Sequence, residues 1–220
     1  MYTVLPRIVV VTGHYGSGKT NVSINMAVEL SKLGRRVVLA DLDVVNPYFR
    51  SADWSGEAKK LGIELIAPAY ASSNLDIPAL TGRLGAALVS DKTVIIDVGG
   101  DDAGAYALGR YSADIVSQDY AMLYVVNGFR FLTRTPQEAV GLLDEIHGAS
   151  RVPATHVVNC SNLAGETTAE DVLGSIPFAQ AAADQAGLPL LGTAARRDIA
   201  ADLAGKAAVF PVDIYVKTPW

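Results

Sequence analysis

The sequence predicts a three-layer α/β/α fold, in which a mostly parallel central sheet carries helices on both faces. Short β-branched apolar runs alternate along the chain with segments of helical apolar spacing, the pattern of repeated strand–helix units. Apolar residues make up 50% of the 220 and charged residues only 19%, which suits strands covered on both sides. The first strand–helix junction is Gly13-His14-Tyr15-Gly16-Ser17-Gly18-Lys19-Thr20, of GxxxxGK[ST] form. Such a loop closes backbone N–H groups around phosphate oxygens, and the helix that follows aims its positive dipole end at the same charge.

Taken in order, Ile8 to Thr12 reads as a buried strand, and Val22, Met26, Leu30 and Leu33 mark a helix over Asn21 to Leu33 that stops at Gly34. Arg35 to Ala40 is a second strand ending in Asp41-Leu42-Asp43, and two carboxylates at i and i+2 can point the same way over the strand ends. In an open parallel sheet that edge is where a ligand sits. Asn46 to Arg50 then places Tyr48, Phe49 and Arg50 near it, either to close over the core or to form a switch surface that a partner reads. A short helix is expected over Glu57 to Leu61, a strand over Ile63 to Ile66, and a helix over Ile77 to Val89 with Leu80, Leu84 and Leu88 on one side.

Lys92 to Val98 is a further apolar strand, and Asp97 at its end can hold Mg²⁺ directly or through water. In Asp97-Val98-Gly99-Gly100 the Gly100 N–H can bond a γ-phosphate and lose that bond on hydrolysis, while Asp101 and Asp102 read mainly as a solvated helix start. A helix follows over Ala103 to Ser117, a strand over Tyr120 to Asn127, a helix over Pro136 to Ile146 and a strand over Thr155 to Asn159. Leu173 to Pro177 reads as a final short strand and turn, with helices over Phe178 to Ala186 and Asp198 to Lys206. The reading is one domain over residues 1–220, with 210–220 a tail that packs back or projects toward a partner.

Composition narrows the function. A net charge of −5 with scattered Arg and Lys gives no broad nucleic-acid footprint. Apolar runs are far short of a spanning helix, and one cysteine, Cys160, suits a reducing compartment, so a cytoplasmic protein is expected. One cysteine and three separated histidines do not suit zinc or iron–sulfur ligation, and no GxSxG elbow or dinucleotide fingerprint is present. From the residues alone, Lys19 would reach the β- and γ-phosphates and Thr20 would ligate Mg²⁺.

The trio of Gly13–Thr20, Asp41-Leu42-Asp43 and Asp97-Val98-Gly99-Gly100 resembles the P-loop ATPases of the SIMIBI class. That class includes the septum-site-determining and chromosome-partitioning proteins, the nitrogenase iron protein and the arsenite-pump ATPases. The resemblance implies a P-loop NTPase fold with ATP and Mg²⁺ as cofactors, and slow turnover of ATP to ADP without a partner. It implies nucleotide contacts from Gly13, His14, Tyr15, Gly16, Ser17, Gly18, Lys19, Thr20, Asn21 and Gly100, and a magnesium shell of Thr20, Asp41 and Asp97. Lys19 and Asp43 are the implied catalytic residues, with Asp43 positioning water, while Asn159 would read adenine and Pro177 would pack beside it. His14 stands where most members carry a lysine that reaches across a nucleotide-sandwich dimer, and an imidazole neutral at pH 7 does not reproduce that charge. More narrowly, the strings Thr12 to Thr20, Asp41 to Arg50 and Asp97 to Ala105 resemble an uncharacterised bacterial and archaeal ATP-binding group whose members often accompany ferredoxin-dependent 2-oxoacid oxidoreductase subunits. The expected role is a nucleotide-controlled switch or accessory factor for a protein partner, with a nucleotide-dependent homodimer also allowed. The alternative is a small-molecule ligase or amidation synthetase that forms an acyl phosphate, as in the dethiobiotin synthetase and cobyrinate amidation branches, with Arg50 and Arg130 as a carboxylate clamp.

Overall fold

The computed structural model describes residues 4–43, 54–67, 76–100 and 102–216. Asn46 to Arg50, Asp101 and the end of the tail with Trp220 lie outside the described residues.

The chain forms β1 (Ile8–Thr12), α1 (Lys19–Lys32), β2 (Val37–Asp41), α2 (Ser55–Lys60), β3 (Glu64–Ile66), α3 (Asp76–Leu88) and β4 (Thr93–Asp97). It continues with α4 (Asp102–Gly109), α5 (Ser112–Val116), β5 (Tyr120–Val126), α6 (Pro136–Ser150), β6 (His156–Asn159) and α7 (Ala169–Ala186), then β7 (Leu190–Arg196), α8 (Arg197–Ala200) and β8 (Val209–Val212). The strands make one sheet in the order β3-β2-β4-β1-β5-β6-β7-β8, and every pairing in it is parallel. Because β1 lies between β4 and β5, chain connections leave it in opposite directions, and the crevice at its C-terminal end is where this topology receives ligands.

Period-two alternation sorts the strand residues into two cores. Ile8, Val10, Ala40, Val94, Ile96 and Tyr124 face the layer that includes α3, α4, α6 and α7. Val9, Val11, Leu39, Ile95, Leu123 and Val125 face α1 and α2. Both sides are apolar because both are covered, as the composition implied.

Three local readings change. Leu173 to Pro177 is helix, within α7, where Thr168 and Asp171 form a reciprocal capping box that starts the helix. Gly174 and Pro177 suggested a turn, but one proline removes only one i→i−4 bond, which a packed 18-residue helix tolerates. The last sheet strands are instead β7, sequence LLGTAAR, and β8, sequence VFPV. Their Gly, Ala and Pro content hid them, and Pro211 is accommodated because β8 is the sheet edge. The helix expected over Ala103 to Ser117 is two helices, α4 and α5, parted at Arg110-Tyr111.

Candidate functional site

Helix α1 begins without a side-chain cap. Its N-cap residue, Gly18, is left-handed at φ 94°, a conformation that favours glycine. No side-chain oxygen satisfies the first-turn N–H groups there, which leaves a helix N-terminus of the kind that takes an anion. Glycine is also required by space. A Cβ on Gly13 would meet the Val125 carbonyl oxygen at 2.2 Å, and one on Gly18 would meet Cys160 Sγ at 2.6 Å. The loop is braced by a Ser17 N–H bond to the His14 carbonyl, 3.1 Å, and the buried Lys19 donates from Nζ to the same oxygen, 3.2 Å. Around it, Thr12 Oγ1, His14 Nδ1 and Ser17 Oγ are buried with no hydrogen-bond partner among the described residues. A glycine cradle, a lysine and unsatisfied polar atoms together fit a polyphosphate.

The acids gather as the strand ends require. Asp41 and Asp97 are register partners at the ends of β2 and β4, both buried. The Leu42 N–H donates to the Asp97 carbonyl, 2.8 Å, and the Asp43 N–H donates to Asp41 Oδ1, 2.9 Å, which carries Asp43 to the same edge. Burial pushes the Asp97 carboxyl up to about 6; Lys19, the Thr20 and Ser23 hydroxyls oppose that rise, and Asp43 adds to it. Ser23 Oγ donates to Asp97 Oδ1 at 3.0 Å. Burial lowers the basicity of His14, and the charges of Lys19 and Arg130 lower it further, so the imidazole is neutral at pH 7. Among the described residues no group of three or more His, Cys, Asp or Glu side chains could hold a metal alone. A magnesium ion here would therefore draw on phosphate oxygens and water as well as Thr20, Asp41 and Asp97.

The exit from β4 is packed directly on the loop. A Cβ on Gly100 would lie 2.5 Å from the Tyr15 nitrogen and 2.8 Å from the His14 carbonyl carbon. Asn21 is adjacent to the loop as expected, but its side-chain oxygen is spent on the tail, accepting from the N–H groups of Tyr215, 2.9 Å, and Val216, 3.0 Å.

Two expected base contacts are corrected. Asn159 is fully buried, with Nδ2 donating to Ser175 Oγ (2.9 Å) and Thr193 Oγ1 (3.4 Å) and Oδ1 accepting from Ser161 N and Oγ. That leaves it no donor or acceptor to offer a base. Pro177 is exposed on α7 and not at the end of a strand. Asn159 does end β6, but the other side chains at this edge are Asn162, three residues further on and beside Gly18, and Arg196 at the end of β7, which donates to the carbonyls of Ala164 (3.0 Å) and Gly165 (2.8 Å). Arg196 and Arg197 also line a pocket with Asp198, Val212, Asp213 and Ile214. Their only sequence signal was a pair of arginines after a strand too rich in Gly and Ala to be seen.

This loop, at the switch point of a parallel sheet beside acids from two neighbouring strand ends, defines a P-loop nucleoside triphosphate-binding domain of the SIMIBI class. The chain belongs to the CobQ/CobB/MinD/ParA nucleotide binding domain family, whose sequence model matches residues 8–190. No curated protein matches the sequence. Solved structures with the same fold include FtsY from Thermotoga maritima, 20% identical with a TM-score of 0.54, covering 87% of this chain and 62% of that one. The signal recognition particle receptor FtsY of Elizabethkingia anophelis in complex with GDP is 17% identical, TM-score 0.58, covering 86% and 57%. The signal recognition particle 54 kDa protein of Aeropyrum pernix, also with GDP, is 17% identical, TM-score 0.54, covering 86% and 41%. The chain thus spans less than two thirds of the length of each.

These neighbours correct the ATP-specific expectation. The nucleotide in both nucleotide-bound structures is GDP, so neither ATP as cofactor nor turnover of ATP to ADP stands as the assignment. Among the described residues, no helix is long and apolar enough to cross a membrane.

Proposed function

We propose that the chain is a nucleotide-controlled switch that binds a purine nucleoside triphosphate on Gly13 to Asn21 and presents a different surface to a protein partner after hydrolysis. The observation that carries this reading is the contact of Gly100 with the loop backbone, too close for any Cβ. A segment leaving a strand-terminal acid and resting on the phosphate loop is mechanically linked to whatever the loop holds. In this reading Lys19 binds the β- and γ-phosphates, Thr20, Asp41 and Asp97 take Mg²⁺, and Asp43 orients the attacking water. The GDP held by two structural neighbours makes the guanine nucleotide the first to test. The signal recognition particle proteins among them support partner-dependent control, with the partner here a protein of unspecified identity or a second copy of the chain. The test is calorimetric titration with GTP and GDP in the presence of Mg²⁺, with ATP as competitor, followed by hydrogen exchange of residues 98–109 in each state. Tight guanine-nucleotide binding with triphosphate-specific protection of that segment is the expected result. Identical exchange in the GTP and GDP states would end the switch reading.

A further inference from the structure

We propose that Arg130 is a phosphate-binding residue of the nucleotide site, a second fixed positive charge that β5 delivers to whatever phosphates the glycine loop holds. The inference rests on the nucleotide-binding reading above.

The turn after β5 is built to place this side chain. Asn127 is almost fully buried, and its Oδ1 accepts from the Phe129 N–H at 3.0 Å. Its carbonyl accepts from the Arg130 N–H at 3.2 Å and from the Thr133 hydroxyl at 2.9 Å. The Gly128 N–H donates to Ser161 Oγ at 2.9 Å, and a Cβ on Gly128 would come within 2.9 Å of the Phe178 ring, so the turn is pinned from both sides. From it Arg130 reaches back to the loop, and its Nε–H donates to the Gly16 carbonyl at 3.0 Å. The guanidinium also lies over the Gly16 α-carbon: a Cβ there would sit 3.2 Å from Nε and 3.3 Å from Cζ.

What this arginine lacks is an anion. Among the described residues it forms no ion pair, whereas four other arginines, Arg36, Arg83, Arg196 and Arg197, have carboxylate partners. It lies instead within electrostatic reach of the loop's own His14, on a loop that already carries Lys19. Gathering like charges on a glycine-rich rim is unfavourable until a polyanion arrives. A nucleoside triphosphate brings about four negative charges, of which Lys19 and a magnesium ion offset three. With Nε fixed on Gly16, the two terminal nitrogens of the guanidinium remain to bond phosphate oxygens, a forked geometry that lysine does not match.

The test uses the full chain, nucleotide-free, titrated with Mg²⁺ and the slowly hydrolysed analogue GMPPNP, with ³¹P spectra of the bound analogue. Arg130→Ala should weaken binding on the order of 10- to 100-fold and shift the phosphate resonances, with an unchanged melting temperature because the side chain is exposed. Arg130→Lys should recover part of the affinity by keeping the charge, and Arg134→Ala, a neighbouring arginine stacked on Phe131, should stay within twofold of wild type. Wild-type binding with Arg130→Ala also within twofold and unshifted resonances would overturn the role of Arg130 alone. An equal loss in Arg134→Ala would overturn it in favour of a diffuse surface field. A wild-type protein that binds neither GMPPNP nor ATP would overturn the nucleotide reading itself, and this inference with it.

Discussion

Asn25 clasps Asp213 with both ends of its amide. Nδ2 donates to the Asp213 carbonyl and Oδ1 accepts from the Asp213 N–H, each at 2.8 Å, as a neighbouring strand would do. Through this pair and the two bonds at Asn21, the helix that begins at the phosphate loop holds the backbone of residues 213–216. Tyr215 in turn packs its ring against Trp54 in a tilted contact, 5.3 Å between ring centroids, so the end of the described chain is packed and not projecting.

Asn25→Asp replaces the donor that faces a carbonyl with an acceptor. Leaving buried groups opposed should cost about 1–3 kcal/mol, read as a lower melting temperature and faster amide exchange at residues 213–216. Arg197→Ala, which removes a half-exposed pair with Asp213, should cost less than about 1 kcal/mol. A smaller loss from Asn25→Asp than from Arg197→Ala would show that the clasp does not hold the tail.

Gly100→Ala should weaken ligand binding as well as cost some stability through overpacking. Its Cβ would meet three backbone atoms of His14 and Tyr15 at 2.5 to 2.9 Å, and backbone cannot rotate aside as a side chain can. Binding of GTP with Mg²⁺ should weaken more than about tenfold as the loop is displaced, since a misplacement of this size is costly at a phosphate cradle. Titration of the alanine variant beside wild type decides it, and affinities within twofold would refute the mechanical link.

The half of the molecule that carries the loop was legible because its signals are local. Gly13 to Thr20 fixes a turn, and the β-branched runs ending at Asp41 and Asp97 announce strands whose ends share an edge. The second half was less so. Leu190–Arg196 earns its place in the sheet from its neighbours β6 and β8, not from β propensity, and Val209–Val212 contains a proline that only an edge strand allows. Asn159 shows the limit differently. Its position at a strand end was read correctly, but its partners Ser175 and Thr193 come from distant elements, and only the packed fold shows that they occupy its amide.

Asp97 gives the site a pH dependence with a definite sign. Its ordinary value is 3.8 and burial lifts it to about 6, so between those values the folded chain binds more protons than the unfolded chain. Stability of the nucleotide-free protein in chelator should therefore fall as pH rises from about 4 to about 6, and carry a constant penalty of roughly 3 kcal/mol above that. Asp97→Asn keeps an acceptor for the Ser23 hydroxyl and removes the charge. Melting curves across pH should show the variant more stable than wild type at pH 7 and level with it near pH 4, while magnesium-dependent nucleotide binding is lost. A variant less stable at pH 7 would refute the sign.

Lys19 and Asp43 should separate binding from turnover. Lys19 is buried with its ammonium on the His14 carbonyl, in the loop that would hold the phosphates, so Lys19→Ala removes a contact present as soon as nucleotide binds. GTP affinity should therefore fall by about two orders of magnitude, together with some loss of melting temperature because Lys19 offsets the buried Asp97 carboxylate. Asp43 is only half-buried, fixed by its N–H to Asp41, and its carboxylate at the sheet edge is placed to orient a water molecule. An interaction needed only as the water attacks leaves ground-state affinity alone. Asp43→Asn should thus bind GTP within about threefold of wild type and release phosphate at least about tenfold more slowly, measured by single-turnover phosphate release. Should Asp43→Asn lose affinity as severely as Lys19→Ala, the acid would belong to the binding shell and the attacking water would need another partner.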